Sequence, residues 1–245
     1  MELHGYAATV VLLRDGADGL ETLLLQRPSR RGSFAGAWVF PGGLVDPDDH
    51  APQPDGADPV ADPLASGGSA DAATDAATAA AVRRAGVRET EEETGLLLDP
   101  AALVPLSCWI PPAEVPRRYR TWFFLAPAPE GRVRLSPDEH VDSAWLAPAE
   151  ALDRHRRAEL ELVTPTWVTL HHLAAFGSAE EALRAATAAA PETFISRQHP
   201  GDAPGTAMVI WQDDAAYPGA PGTAPAARHR LVMDGRNWTY ERTPA

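Results

Sequence analysis

Cysteine is almost absent from this chain. Cys108 is the one cysteine in 245 residues, so no intrachain disulfide can form, and no Cys/His spacing of the zinc-binding kind occurs. Long apolar runs are missing too. The longest early one, AATVVLL at residues 7–13, is too short to span a bilayer and lacks the basic region of a signal peptide. The terminal RTPA carries no peroxisomal or reticular address. A soluble, cytoplasmic protein is the expectation, with no membrane partner. Positive charge is also scarce: 21 basic against 34 acidic residues leave a net charge of −13. A phosphate backbone would be repelled, which excludes nonspecific nucleic-acid binding. A small phosphorylated substrate is compatible with that charge if local arginines and a metal ion hold it. A homodimer is left open.

Apolar residues make up 44% of the chain, enough for a sizeable core. YAATVVLLRD and LETLLLQRP read as two strands joined by a hairpin turn at GADG. A short strand at residues 37–40 precedes the turn Pro41-Gly42-Gly43. From residue 47 to about 68 the chain is rich in Pro, Asp, Gly and Ala, with little to bury. Ser69 or Asp71 is a suitable cap for a long helix ending near Thr94, weakened slightly by Gly86. LVPLSCWI and RRYRTWFFLAPAP read as strands, and SAWLAPAEAL as a strand followed by a helix start. TPTWVTLHHLAAF places Trp167, Leu170, Leu173, Ala174 and Phe176 on one helical stripe. SAEEALRAATAAA is a second helix with a capping box at Ser178 and Glu181. AMVIWQ and HRLVMDG read as late strands, and YPGAPGTAPA as loop.

The string RETEEETG, Arg88 to Gly95, ends the long helix with four glutamates. A helix C-terminus carries partial negative charge and disfavours acids. At about 100° per residue, Glu89, Glu92 and Glu93 fall at roughly 0°, 300° and 40°, while Glu91 lies near 200°. Three carboxylates on one stripe repel one another, by a few tenths of a kcal/mol per pair. A divalent cation reverses that sign, and carboxylate-only surroundings select Mg2+ or Mn2+ over zinc. The competing reading is a solvated helix face.

Arg88-Glu89-Thr90-x-Glu92-Glu93-x-Gly95-Leu96 resembles the second half of the Nudix box, R-E-U-x-E-E-x-G-U, with Thr90 in place of a larger apolar residue. VFPGG precedes it, and the opening glycine of the box corresponds to Gly43. The family places that glycine 14 positions before the arginine; here the separation is 88 − 43 = 45, so about 31 residues are inserted, expected over about 47–70. Counting back eight from Arg88 reaches Ala80, not the glutamate that pairs with the box arginine. Asp46, Asp48, Asp49 and Asp75 are the candidate replacements. LLLQRPSRRGSFAGAWVFPGGLVD, RRYRTWFFLA and TPTWVTLHHLAAF are similar to one branch, the peroxisomal-type coenzyme A diphosphatases and their bacterial relatives.

The resemblance implies an α/β fold, the Nudix α/β/α sandwich with a mixed sheet. It would span residues 1–163, with a helical extension at 164–245 packed on it and late strands within. It implies a hydrolase of nucleoside diphosphates linked to another group, using Mg2+ or Mn2+. Coenzyme A or acyl-coenzyme A is the first expected substrate; ADP-ribose, NADH or a nucleotide sugar is the alternative. A nucleotide sensor without catalysis is the rival of a different class. Glu89, Glu92, Glu93 and the Gly43 carbonyl correspond to metal ligands, and Glu89 also to a possible base. A base from a later loop corresponds to Glu139, with Asp138 and His140 behind it. Arg88 corresponds to an anchor of the catalytic loop. Arg27, Arg30 and Arg31 correspond to substrate phosphate recognition or to solvated arginines. Phe34, Trp38 and Trp109 are either stacking surfaces for an adenine or core.

Overall fold

The computed structural model describes residues 3–29, 34–50, 76–136, 139–219 and 224–243. Its centre is strand β1 (Gly5–Gly16), in which Val10, Val11, Leu12 and Leu13 are all fully buried. An unbroken apolar run suits a strand covered on both faces. It runs back through the two-residue turn Ala17-Asp18 into β2 (Gly19–Gln26), with Gly16 opposite Gly19, as the GADG reading predicts.

The β1–β2 hairpin then opens like a fork. β1 pairs with β2 only at residues 13–16. Lower down, on the same edge, it pairs with β4 (Gly42–Leu44) through Ala7–Leu44, Ala8–Gly43 and Thr9–Gly42. β2 diverges to pair with β3 (Ala37–Val39). Residues 37–44 therefore fill the fork and set the Pro41-Gly42-Gly43 turn deep in the sheet. At Gly42, φ is +154° and a Cβ would sit 2.2 Å from the Ala8 carbonyl oxygen, so only glycine fits.

On its other edge β1 runs parallel to β6 (Tyr119–Pro127), which pairs antiparallel with β5 (Val104–Ile110). β7 (Asp142–Leu146) adds to β2, and β8 (Glu161–Leu162) to β3. One face of this mixed sheet carries α1 (Ala76–Thr94), whose Ala79, Val82 and Ala85 pack on Val10, Leu12 and Phe124. Gly86 brings the helix close: a Cβ there would meet Val10 Cγ2 at 3.2 Å. Gly86, a weak helix former, thus sits where the helix packs closest on Ala8 and Val10. The expected caps Ser69 and Asp71 lie outside the described residues.

The opposite face carries α2 (Pro148–Arg156), α3 (Thr164–Leu173) and α4 (Ala179–Ala188), which bury Trp167, Val168, Leu170 and Ala182 against Val11, Leu13 and Leu125. Helices on both faces of a mixed sheet make the expected α/β/α sandwich. Ser178 caps α4, its Oγ accepting the Glu181 N–H at 3.2 Å. The Glu181 carboxylate accepts from the Gly177 N–H at 2.9 Å, one residue further back than the expected box.

α3 and α4 are the helices expected after residue 164, and from α4 onward the chain is mostly strand, the two expected late strands among others. β9 (Glu192–Ile195) joins the main sheet parallel to β5. β10 (Arg197–Pro200), β11 (Thr206–Ile210), β12 (His229–Asp234) and β13 (Asn237–Arg242) form a four-stranded antiparallel meander. Its Val209, Trp211 and Leu231 enter the core beneath α3. Arg230 Nε donates to buried Asp214 at 2.6 Å and closes the meander's long connection. Among the described residues no helix is long and apolar enough to cross a membrane.

Candidate active site

The last two turns of α1 lie over the filled fork of the sheet. Glu93 is only 3% exposed, and its carboxylate accepts the Gly42 N–H at 2.8 Å. Glu89 lies one turn earlier, against Gly43: a Cβ at Gly43 would fall 2.2 Å from the Glu89 carboxyl carbon. The glycine is therefore a recess that the carboxylate occupies. Gly43→Ala is expected to displace Glu89 and to lower kcat/KM at least tenfold while the fold survives, which steady-state kinetics beside a thermal melt would check.

Arg88 ties this helix end to the sheet turn. Its Nε and Nη2 grip the two oxygens of Asp49 at 3.3 and 3.0 Å, and Nη2 also reaches the Leu44 carbonyl at 3.0 Å. Nη1 donates to Glu89 at 2.9 Å and to Glu92 at 3.1 Å. Asp49 sits in a single 3-10 turn, Pro47–His50, buried beneath the helix. It accepts the Asp46 N–H at 2.9 Å, and Arg84 donates to its carbonyl at 2.6 Å. Burial raises the Asp49 pKa, but hydrogen bonds from Arg88 and Asp46 and the nearby guanidinium charges more than offset it, leaving the carboxyl below its usual range. The Asp49 hydrogen bonds, in turn, hold Arg88 firmly protonated.

Of the candidate acids among the described residues, Asp49 meets Arg88 through both oxygens, while Asp46 stands 3.7 Å from the guanidinium. Counting forward from Gly43 finds Asp49: 43 + 6 = 49, the place of the acid in G-x5-E, with Asp for Glu. Residues 51–75, with Asp75 among them, lie outside the described residues.

The carboxylates are electrostatically loaded. Burial, with the charges of Glu89 and Glu139, pushes Glu93 up to about 8 against the pull of the Gly42 N–H and Arg27. Glu89 is raised by burial and by Glu92 and Glu139, despite Arg88. Glu92 is exposed and leans to Arg88 at the rim of the site. Ligand atoms of Glu93, Glu139 and His140 all lie within 4.8 Å of one another. His140 is 3% exposed, and burial and then Arg27 depress its pKa to about 4. Clustered carboxylates, two of them raised chiefly by burial, with an imidazole held neutral, form a donor set that fits a divalent cation.

Of the other expected residues, Arg27 lies near the cluster, since its charge acts on both Glu93 and His140. Phe34 is 60% exposed on the loop before β3, with φ of 59°. Arg30, Arg31 and Asp138 lie outside the described residues. Of its two expected uses Trp109 takes the core one: it is 3% exposed, stacked on Phe194 at 4.0 Å between ring centroids, on the face opposite α1. Its neighbour Cys108 faces α1, its thiol pushed up to about 12 by burial. His171 stacks on Trp167 at 5.3 Å and His172 meets Tyr240 edge-on at 5.0 Å, both in a packing seam.

Residues 66–181 match the NUDIX domain family. The match begins beyond residues 5–44, which the structure pairs into the same sheet. Among solved structures, a NUDIX hydrolase from Alicyclobacillus acidocaldarius is similar at 24% identity and a TM-score of 0.59, covering 75% of this chain and 96% of that one. A MutT NUDIX hydrolase from Burkholderia pseudomallei, at 24% identity, covers 70% and 98% with a TM-score of 0.43. The NUDIX domain of Shewanella oneidensis NrtR, complexed with ADP ribose, has 16% identity, covers 75% and 90%, and has a TM-score of 0.47. The first of these establishes likeness of fold. The search of curated proteins finds no match.

Proposed function

We propose that this chain, whose residues 66–181 match the NUDIX domain family, is a Mg2+- or Mn2+-dependent diphosphatase of coenzyme A or acyl-coenzyme A. The products are 3′,5′-ADP and phosphopantetheine or its acyl form. The observation that carries the catalytic reading is the convergence of Glu89 and Glu93 on Gly42 and Gly43, locked by Arg88 and Asp49. Glu89, Glu93 and the rim carboxylate of Glu92 would hold the cation, with the Gly43 carbonyl as a further donor. When bound, it supplies charge neutralisation at the diphosphate and a more acidic water.

The chain's own residues do the rest. Arg88 spends its donors on Asp49, Leu44, Glu89 and Glu92 and so fixes the carboxylates in place before substrate arrives. Glu139, exposed beside Glu93, is the base that takes the proton of the attacking water. The water oxygen bonds to one phosphorus, the bridging P–O bond breaks, and the electron pair leaves on the other phosphate. Arg27 places positive charge beside this point, which suits a diphosphate. The interruption of the box between Asp49 and Arg88, with the flanking strings described above, favours the coenzyme A branch.

The test is incubation with Mg2+ and a panel of coenzyme A, acetyl-coenzyme A, ADP-ribose, NADH and a nucleotide sugar, with products read by mass. Coenzyme A or its acetyl ester should show the highest kcat/KM and yield 3′,5′-ADP. A tenfold preference for ADP-ribose, NADH or the sugar would replace the substrate assignment. Binding of nucleotide with no turnover of any diphosphate would point instead to a sensor.

A further inference from the structure

We propose that His140 is a nitrogen ligand of the cation held by Glu93, so that this site prefers Mn2+ to Mg2+; the proposal rests on the metal reading above and deepens it. The imidazole is buried, yet neither ring nitrogen has a hydrogen-bond partner among the described residues. Burying a polar group unpaired costs about 1–3 kcal/mol. The ring is held there by the backbone on both sides. The His140 N–H donates to the Ser136 carbonyl at 3.0 Å, and the Ser136 N–H donates to the Glu93 carbonyl at 3.2 Å. The Val141 N–H donates to the Gln26 carbonyl at 2.9 Å. The loop is thus fastened to both the end of α1 and the end of β2, with its histidine turned inward.

The distances suit a shared ion. His140 Nε2 stands 3.7 Å from Glu93 Oε1, too far for a hydrogen bond. Two donors each about 2.1 Å from one cation stand up to about 4.2 Å apart, so 3.7 Å leaves room for the ion between them. Glu139, the base of the proposed reaction, lies on the open side of the same 4.8 Å cluster. Mg2+ keeps oxygen ligands and gives up its water reluctantly, whereas Mn2+, a transition ion that also favours oxygen, accepts an imidazole nitrogen more readily than Mg2+ does.

The test uses the metal-free full chain titrated with Mn2+ and examined by pulsed EPR. Coordinated nitrogen should modulate the Mn2+ echo, the pattern should change when the protein is labelled with 15N-histidine, and it should vanish in His140→Gln. The same variant should lower the Mn2+-over-Mg2+ affinity ratio at least tenfold in calorimetry. The isotope experiment needs no substitution, so it stands even if the variant folds poorly. Mn2+ bound without nitrogen coupling, or coupling that persists in His140→Gln, would overturn the role of His140 and leave the carboxylate site intact. Failure of Mn2+ to bind with a diphosphate present would remove both readings.

Discussion

Glu93→Gln is expected to abolish most turnover, by a factor of about 10² or more, and to make the metal-free protein more stable at alkaline pH. Both effects come from one buried charge. The carboxylate is needed to hold the cation, while the amide oxygen of glutamine can still accept the Gly42 N–H, so packing is kept. Without metal, burial pushes the carboxyl up to about 8 from the model-peptide value of 4.5. The folded state therefore binds a proton that the unfolded state has released. The associated stability is fully present below about pH 4.5 and is lost as pH rises through about 8. Urea unfolding in a chelator should show the parent falling behind the glutamine variant by roughly 2–4 kcal/mol between pH 5 and 9. Metal should close that gap, because it takes the place of the proton. Equal slopes for the two proteins, or parental turnover in the variant, would contradict the assignment.

Asp49→Asn should be the second large effect. The aspartate is buried and meets Arg88 through both oxygens. Removing its charge leaves Arg88 half-satisfied, at a cost of about 1–3 kcal/mol, and loosens the guanidinium that orients Glu89 and Glu92. A loss of about 10- to 100-fold in kcat is expected, with KM changing less. The sign with pH is opposite to that of Glu93. The Asp49 carboxyl is depressed, so its contribution is present above its unfolded pKa, near 3.8, and disappears as pH falls below that. Arg88→Lys should not substitute for the native residue, because one ammonium cannot span Asp49, the Leu44 carbonyl, Glu89 and Glu92 together. If the asparagine variant kept parental kcat, the link between Arg88 and catalysis would fail.

Several of these features can be read along the chain and others cannot. The β1–β2 hairpin was legible because four successive buried apolar residues and a polar two-residue turn admit few alternatives. The stripe of Glu89, Glu92 and Glu93 follows from helix geometry alone, as does the Ser178 cap from its local pattern. Asp49 was within reach, by counting from Gly43 and not from Arg88. Three aspartates within four positions, at 46, 48 and 49, otherwise look alike, and only the 3-10 turn separates them.

The burial of His140 was hidden in the polar string SPDEHVDS, because hydrogen bonds to Glu93 and Gln26, far off in sequence, turn it inward. Strand alternation sets Cys108 and Trp109 on opposite faces, but which face lies beneath the catalytic helix is a matter of topology. That is why Trp109 could be read as a stacking surface. β13 was passed over although Trp238 and Tyr240 alternate with Thr239 and Glu241, since a half-exposed edge strand offers little apolar contrast.

The bond between Asp49 and Arg88 also acts as a ligature. It knots together two points 88 − 49 = 39 positions apart, so catalytic alignment is sustained by a side-chain suture and does not depend on a fixed tally of intervening backbone. Loop-closure entropy in general grows slowly with length, by about 0.6 kcal/mol per doubling. A change in the number of residues between the two points would therefore disturb Glu89 and Glu92 less than a change at Asp49 or Arg88 themselves.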